Sequence, residues 1–147
     1  LINAYTELRK DYDYILIDTG AGISDLSIDF VLSADKILVI TTPEPTAITD
    51  AYAMIKVLYY RAKSPDINLV INLAQTEEEG KTIYNKINLI VQHFLNKTVA
   101  HAGTIPLDKS IPEAVKEQVP FIIKRPRSVA SASIHNIAVS ILKEDKE

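Results

Sequence analysis

The chain has 147 residues, of which 47% are hydrophobic and 24% charged, and its formal net charge is −3. This composition is ordinary for a folded domain with a real core, so we expect a single domain over residues 1–147. A net negative charge argues against a nucleic-acid surface, which needs clustered Lys and Arg. Without cysteine these residues form no disulfide and carry no thiolate chemistry. No apolar run is long enough to span a membrane.

The first ten residues predict the end of a helix. Leu1, Ala4, Tyr5 and Leu8 recur at helical spacing, but no capping residue precedes them. The chain also begins without Met and without a signal peptide. We therefore expect a piece of a longer, cytoplasmic protein, truncated at its amino-terminal side.

Residues 14–22 (YILIDTGAG) combine an apolar run, a carboxylate and two glycines. The run at residues 14–17 predicts a strand that is buried on both faces, as in a parallel sheet. Asp18 would follow this strand, at the sheet edge where open α/β folds bind ligands, and could hold Mg²⁺ through water. Gly20 and Gly22 would let backbone N–H groups approach a phosphate. Equally, Asp18 could be a helix cap and the glycines simple turn residues.

The rest of the chain alternates buried strands with amphipathic helices. Strands are predicted at residues 37–40, 67–73 and 98–105, and a short extended stretch at 120–126. Helices are predicted in between and at the end, one capped by Thr46, one by Thr76 with Glu79, and one by Ser110 with Glu113. This order predicts an α/β fold, with a parallel sheet and helices on both faces.

Two features that could suggest chemistry are interpreted as structural. Gly80-Lys81-Thr82 looks like the end of a phosphate loop, but Gln75 stands where the loop needs glycine, and the helix starts earlier, at Thr76. His93, His101 and His135 have no acidic or sulfur partners at metal spacing, so no zinc site is predicted.

The sequence resembles the MinD/ParA group of P-loop ATPases. The resemblance rests on residues 14–22, on residues 33–46 with their TTPEPT run, and on ITDAY at residues 48–52. Within that group the pattern is most similar to the flagellar-number regulators of the FlhG type, also called FleN or YlxH.

The resemblance implies a function and a set of ligands. It implies ATP and Mg²⁺ as cofactors, with Asp18 at the metal and Gly20 and Gly22 at the phosphate switch. It also implies that Asn72 contacts adenine, and that Pro106 and Asp108 belong to a loop over the nucleoside. From the residues alone, Asn72 could equally cap the loop that follows it.

The resemblance also implies partners. Proteins of this group form nucleotide-dependent homodimers and cycle between the cytosol and the inner face of the cell membrane. A flagellar SRP-type GTPase or flagellar switch proteins would be the partners, and membrane contact would use a segment absent from this chain.

The lysine-bearing phosphate loop that defines the group is not in this chain. We therefore expect the parent protein to hydrolyse ATP and these 147 residues to show no turnover. The alternative is a non-catalytic interaction domain that binds flagellar or cell-division proteins. A phosphoacceptor receiver domain fits less well, because only a helix tail precedes residue 14, so there is no earlier strand that ends in an acidic pair. The later strand ends also carry Asn72 and Pro106, where a receiver has lysine. Without the group's first strand, an open sheet edge should let copies of the chain self-associate.

Overall fold

The computed structural model describes residues 7–8, 10–20 and 25–144. We number the helices and strands in chain order. They are α1 (Asp25–Leu32), β1 (Ile37–Thr41), α2 (Pro45–Arg61), β2 (Ile67–Ala74), α3 (Glu77–Leu95), β3 (Ala100–Pro106), α4 (Ser110–Lys116), α5 (Phe121–Lys124) and α6 (Val129–Glu144). In this part of the chain, no helix has the length and apolar character needed to cross a bilayer.

The three strands form one parallel sheet in the order β1-β2-β3. Parallel neighbours require crossover connections, which α2 and α3 supply. Thr104 of β3 packs against Gly80 of α3, whereas its neighbour Gly103 packs against Ile137 of α6. Consecutive strand residues point to opposite faces, so α3 and α6 cover opposite faces of the sheet. The predicted α/β class, a parallel sheet with helices on both faces, is confirmed.

The main core lies between the sheet and the helices α1, α2 and α3. It takes the odd-numbered side chains of β1 and β2 and the inward stripes of the helices. Its fully or almost fully buried members are Ile28, Ile37, Val39, Ala51, Ile55, Leu58, Ile67, Leu69, Ile71, Ala74, Ile83, Ile87, Val91 and Val99.

The strand predicted at residues 14–17 is not present. Residues 14–20 have no helix or strand assignment, and Leu16 is 93% exposed and Tyr14 60% exposed. A strand is buried on both faces only when neighbouring strands and helices enclose it, and the described residues place no strand beside this one. The apolar run therefore makes no backbone pairing with any described strand, and most of it is exposed.

Helix starts are partly as predicted. Thr76 caps α3 by accepting a hydrogen bond from the Glu79 N–H at 3.1 Å, and Glu79 in turn accepts from the Gln75 N–H. The prediction for Thr46 was wrong: α2 starts one residue earlier, at Pro45, because proline suits the first helical turn.

Two predictions in the following segment were also wrong. Ser110 does not cap α4; it is the first residue of that helix, and the preceding Lys109 makes no side-chain cap. Residues 121–124 form the short helix α5 rather than an extended stretch, with the Lys124 and Arg125 N–H groups donating to the carbonyls of Pro120 and Phe121.

Candidate functional site

The carboxyl ends of the three parallel strands lie along one edge of the sheet, and three of the predicted site residues are at this edge or just after it. Asn72 lies near the end of β2, and Pro106 ends β3. The Leu107 N–H donates to the Ala74 carbonyl at 2.7 Å, which fastens the loop after β3 to the end of β2. Asp108 follows in that loop. This is the edge at which open α/β sheets bind ligands.

A β-bulge at Leu73 sets the position of Asn72. Asn72 pairs with Ile105 but Ala74 pairs with Pro106, so Leu73 is left without a partner in β3. Leu73 also has φ of 58°, a left-handed conformation that is uncommon and costly for a branched side chain. Bulges redirect side chains next to binding sites. The bulge and the left-handed residue together set the direction of the Asn72 side chain at the end of β2.

Only the oxygen of the Asn72 side-chain amide has a hydrogen-bond partner in the described part of the chain. Its Oδ1 accepts a hydrogen bond from the Leu73 N–H at 3.0 Å. Within the described part of the chain, its NH₂ group donates to no protein acceptor. An amide with free donors at a strand end can read the edge of a nucleobase. The local capping role and the base-contacting role are therefore compatible, since they use different atoms.

Asp108 is occupied by protein hydrogen bonds. Its Oδ1 accepts from the N–H and the hydroxyl of Ser110 at 2.8 and 2.6 Å, and its Oδ2 accepts from the Ala130 N–H at 3.3 Å. These hydrogen bonds lower the pKa of Asp108 from 3.8 to about 2, and the bonds from Ser110 are the largest cause. The carboxylate thus joins the loop after β3 to the first turn of α6. Its direct role is to hold this loop in shape.

A buried hydroxyl at the end of β1 has no partner. Thr42 Oγ1 is out of contact with solvent and makes no hydrogen bond with any described residue. Its neighbour Thr41 is 3% exposed, and its hydroxyl makes only a long 3.4 Å bond to the Thr42 carbonyl. Unsatisfied buried polar atoms are rare and call for a bonding partner. Sequence analysis did not single out Thr42; its only signal was its place in the TTPEPT run.

Asp18 and Gly20 line a different surface from Asn72, Pro106 and Asp108. Both are exposed, and with Ile17 they line one side of a groove of about 700 Å³ whose other lining residues come mainly from α1, β1 and α2. A Cβ on Gly20 would meet nothing within 4 Å. Asn72, Pro106 and Asp108 do not line this groove, so the structure does not bring the two groups into one pocket. Gly22 lies outside the described residues.

The donor set agrees with a magnesium ion carried by a nucleotide. In the described part of the chain, no three His, Asp, Glu or Cys side chains cluster as a metal cage. Mg²⁺ is typically held through one or two carboxylates, water and substrate phosphates, and the exposed Asp18 could supply one carboxylate. The unpartnered Thr42 hydroxyl and the free amide of Asn72 supply neutral polar groups at the same sheet edge. The residue types present are compatible with Mg-nucleotide, although the structure does not gather Asp18 and Asn72 into one pocket.

Gly80 and His101 have packing roles in the structure. Gly80 is buried inside α3, where a Cβ would come within 2.2 Å of Thr104 Oγ1, so this glycine allows helix and strand to approach closely. His101 stacks on Tyr84 with ring centroids 4.5 Å apart. Burial is the main cause that lowers the pKa of His101. It packs as a neutral ring between α3 and β3.

Comparison with known proteins identifies the family of the chain. A profile of the ParA family, described as an NUBPL iron-transfer P-loop NTPase, matches residues 5–142. Antiactivator FleN of Pseudomonas aeruginosa is 33% identical over 141 residues, which are 96% of this chain and 50% of FleN. The septum site-determining protein MinD of Bacillus subtilis is 33% identical over 144 residues, or 97% of this chain and 52% of that protein. The chain thus spans about half the length of these relatives.

Solved structures share the fold. MinD of Pyrococcus horikoshii, complexed with Mg-ADP, superposes with a TM-score of 0.75 at 22% identity, over 98% of this chain and 56% of the other. MinD in the MinC:MinD complex of Aquifex aeolicus gives a TM-score of 0.76 at 24% identity, over 96% and 57% of the two chains. At this identity the likeness concerns the fold. With the profile match and the relatives, it shows that the chain belongs to the ParA/MinD family of P-loop NTPases.

Proposed function

We propose that this chain is the carboxy-terminal part of a MinD-type ATPase that regulates the number and placement of flagella by nucleotide-dependent dimerisation. The observation that carries the proposal is the bulged end of β2, which leaves the amide donors of Asn72 free beside the loop after β3. The names of the relatives, Antiactivator FleN and the flagellum site-determining protein YlxH of Helicobacter pylori, favour the flagellar role. The 147 residues contain no cysteine, the usual ligand of iron–sulfur clusters, so we do not extend iron transfer to them.

Each site residue then has a task. Asn72 would donate to the base, while Asp108 and Pro106 keep the loop after β3 in place over the nucleoside. Asp18 would hold Mg²⁺ through water, and the backbone of Gly20 and Gly22 would respond to the terminal phosphate. Mg²⁺, when bound, neutralises phosphate charge. The backbone amides and lysine of a phosphate loop, which this sequence lacks, normally supply most of the grip on the phosphates.

The proposal includes the cellular setting of the parent protein. It is cytoplasmic, forms a homodimer, and contacts the inner face of the cell membrane only through a segment absent here. A flagellar SRP-type GTPase or flagellar switch proteins are its partners, and it binds no nucleic acid. The 147 residues act as a single domain within it.

Turnover and binding assays test the proposal. The 147-residue chain should release no phosphate from Mg-ATP, whereas a longer chain from the same gene should. In the longer chain Asn72→Ala should weaken nucleotide binding by calorimetry about tenfold, since one or two hydrogen bonds to the base are lost. Asn85→Ala, which changes an exposed amide on α3, is the matched control and should bind normally. Strong hydrolysis by the 147 residues alone would refute the proposal.

A second candidate function is a non-catalytic interaction domain that binds flagellar or cell-division proteins. The observation that favours it is the exposure of Val115, Ile123 and Val129, which are between 62% and 71% exposed. Calorimetric titration with Mg-ATP discriminates the two functions, because an interaction domain would take up no nucleotide in either the short or the longer chain.

A further inference from the structure

The first turn of α6 contains a buried hydroxyl, that of Ser131, which is only 2% exposed. Its Oγ donates a hydrogen bond to the Arg125 carbonyl at 2.8 Å and accepts one from the Ser128 hydroxyl at 3.1 Å. Burying a hydroxyl is unfavourable unless it is hydrogen-bonded, and alanine would suit a helix better. Ser131 therefore contributes to the structure through these two bonds.

These bonds hold the turn between α5 and α6 against the start of α6. The Arg125 carbonyl also accepts from the Ser128 N–H at 3.0 Å, and Ser128 Oγ accepts from the Ser131 N–H at 3.2 Å, as the side chain of an N-cap residue does. The Arg125 side chain also pairs with Glu113 at 3.8 Å, but both side chains are at least half exposed, so this ion pair contributes little. The buried bonds of Ser131 are therefore a stronger anchor of the turn than the ion pair.

The same turn of α6 is bonded to the loop after β3. The Ala130 N–H is one of the amino-terminal donors that a helix cannot satisfy internally, and it donates to Asp108 Oδ2 at 3.3 Å. Asp108 also accepts from the Ser110 N–H at 2.8 Å, so one carboxylate joins the start of α4 to the start of α6. The Ser128 hydroxyl also contributes to the lowered pKa of Asp108. The position of the loop after β3 therefore depends on how firmly the first turn of α6 is held.

We propose that Ser131 is a positioning residue for the nucleoside, because it holds the first turn of α6 so that Asp108 keeps the loop after β3 beside Asn72. The inference rests on the proposed function. Every contact that joins Ser131 to Asp108 lies within residues 108–131, so the connection is local to this part of the chain. Loss of the hydroxyl should weaken the hold on the nucleoside and leave the chemistry at the phosphates unchanged.

NMR spectra of the 147-residue chain at neutral pH test the connection without nucleotide. In Ser131→Ala the amide proton of Ser110 should move upfield, because its hydrogen bond to Asp108 loosens. Ser140→Ala, which changes an exposed serine on the same helix, is the matched control and should leave this resonance in place. A lower stability alone does not move it, since the signal comes from folded molecules. A Ser110 resonance that is the same in both variants would overturn the inference.

Calorimetry and turnover of a longer chain from the same gene test the effect on nucleotide. Ser131→Ala should raise the Kd for Mg-ATP about fivefold, the equivalent of one lost hydrogen bond, and the same factor should appear in KM rather than in kcat. In an Asp108→Ala background, Ser131→Ala should have no further effect on the Kd, since it acts through that carboxylate. A Kd equal to that of Ser140→Ala, or an undiminished effect without Asp108, would overturn the inference.

Failure of the proposed function would give a different result. The unsubstituted longer chain would then bind no Mg-ATP, whereas the Ser110 resonance of the 147-residue chain would still respond to Ser131→Ala. If the unsubstituted longer chain binds Mg-ATP and Ser131→Ala binds it equally well, the proposed function stands and the role of Ser131 is refuted.

Discussion

The carboxylate of Asp108 accepts a hydrogen bond from the N–H of Ala130, 22 residues further along the chain. Through it the loop after β3 is joined to the first turn of α6, and Ser110 fixes the other carboxylate oxygen. Two elements that are distant in sequence therefore keep a set position at the carboxyl edge of the sheet. In the proposed function, this contact shapes the loop that covers the nucleoside.

Asp108→Ala should destabilise the fold. It removes the acceptor for three donors, the N–H and hydroxyl of Ser110 and the N–H of Ala130. Loss of charge-assisted hydrogen bonds at a half-buried position should lower the free energy of unfolding by about 2 kcal/mol. Urea unfolding measures it, with Asp50→Ala, an exposed aspartate on α2, as control. Equal free energies of unfolding for the two variants would contradict a stabilising role of the Asp108 carboxylate.

The stabilisation by Asp108 should depend on pH. Its pKa is lowered from 3.8 to about 2 in the folded chain, chiefly by the bonds from Ser110. Because the pKa of this carboxyl is lowered on folding, it stabilises the fold fully above its unfolded pKa of 3.8, and this contribution is lost as the pH falls towards 2. The difference in unfolding free energy between the original chain and Asp108→Asn should therefore shrink below about pH 4. A difference that is constant from neutral to acid pH would contradict this assignment.

Gly80→Ala should destabilise the chain although alanine favours helices. Its Cβ would lie 2.2 Å from Thr104 Oγ1 and 2.3 Å from Thr104 Cγ2, so α3 and β3 would have to separate. Overpacking should cost about 1–3 kcal/mol, more than the gain of about 1 kcal/mol in helix propensity. Thermal unfolding should show a lower midpoint, partly restored by adding Thr104→Ala. Gly20→Ala is the control, since its Cβ would meet no atom within 4 Å.

At position 73, a glycine should stabilise the fold more than an alanine, which is the reverse of their usual order. Its φ of 58° favours glycine, and its side chain is 43% exposed, so either replacement loses little burial. Leu73→Gly should therefore be more stable than Leu73→Ala by about 1 kcal/mol, as measured by chemical unfolding. If the alanine variant were the more stable, this would contradict a left-handed conformation of residue 73 at the bulge.

Strands and helices with strong local patterns were predictable from sequence. β1, β2 and β3 appear where apolar runs were found. α3 begins at Glu77, directly after its cap Thr76, because that cap is a local hydrogen bond with Glu79. Residues 14–17 show the limit of such patterns. An apolar run indicates that a strand can be buried, but burial also requires a neighbour, and none of the described residues provides one.

The candidate site was predictable in its residue types but not in its geometry. Asn72 was identified from its place at a strand end, whereas the bulge at Leu73 has no sequence signal, since leucine is not a residue that favours positive φ. The bonds of Asp108 to Ser110 and Ala130 depend on where α6 packs, which periodicity does not determine. Thr42 became notable only when the structure showed its buried hydroxyl without a partner.

The most direct test of the nucleotide site is an NMR titration of the 147-residue chain with Mg-ATP at millimolar concentration. Amide resonances of Leu73 and Asp108 and the side-chain amide of Asn72 should shift together, and those of the exposed Asn85 should not. Weak, saturable shifts confined to the carboxyl edge of the sheet are the predicted result. The absence of shifts at Asn72 and Leu73, or shifts centred elsewhere on the chain, would contradict the proposed function.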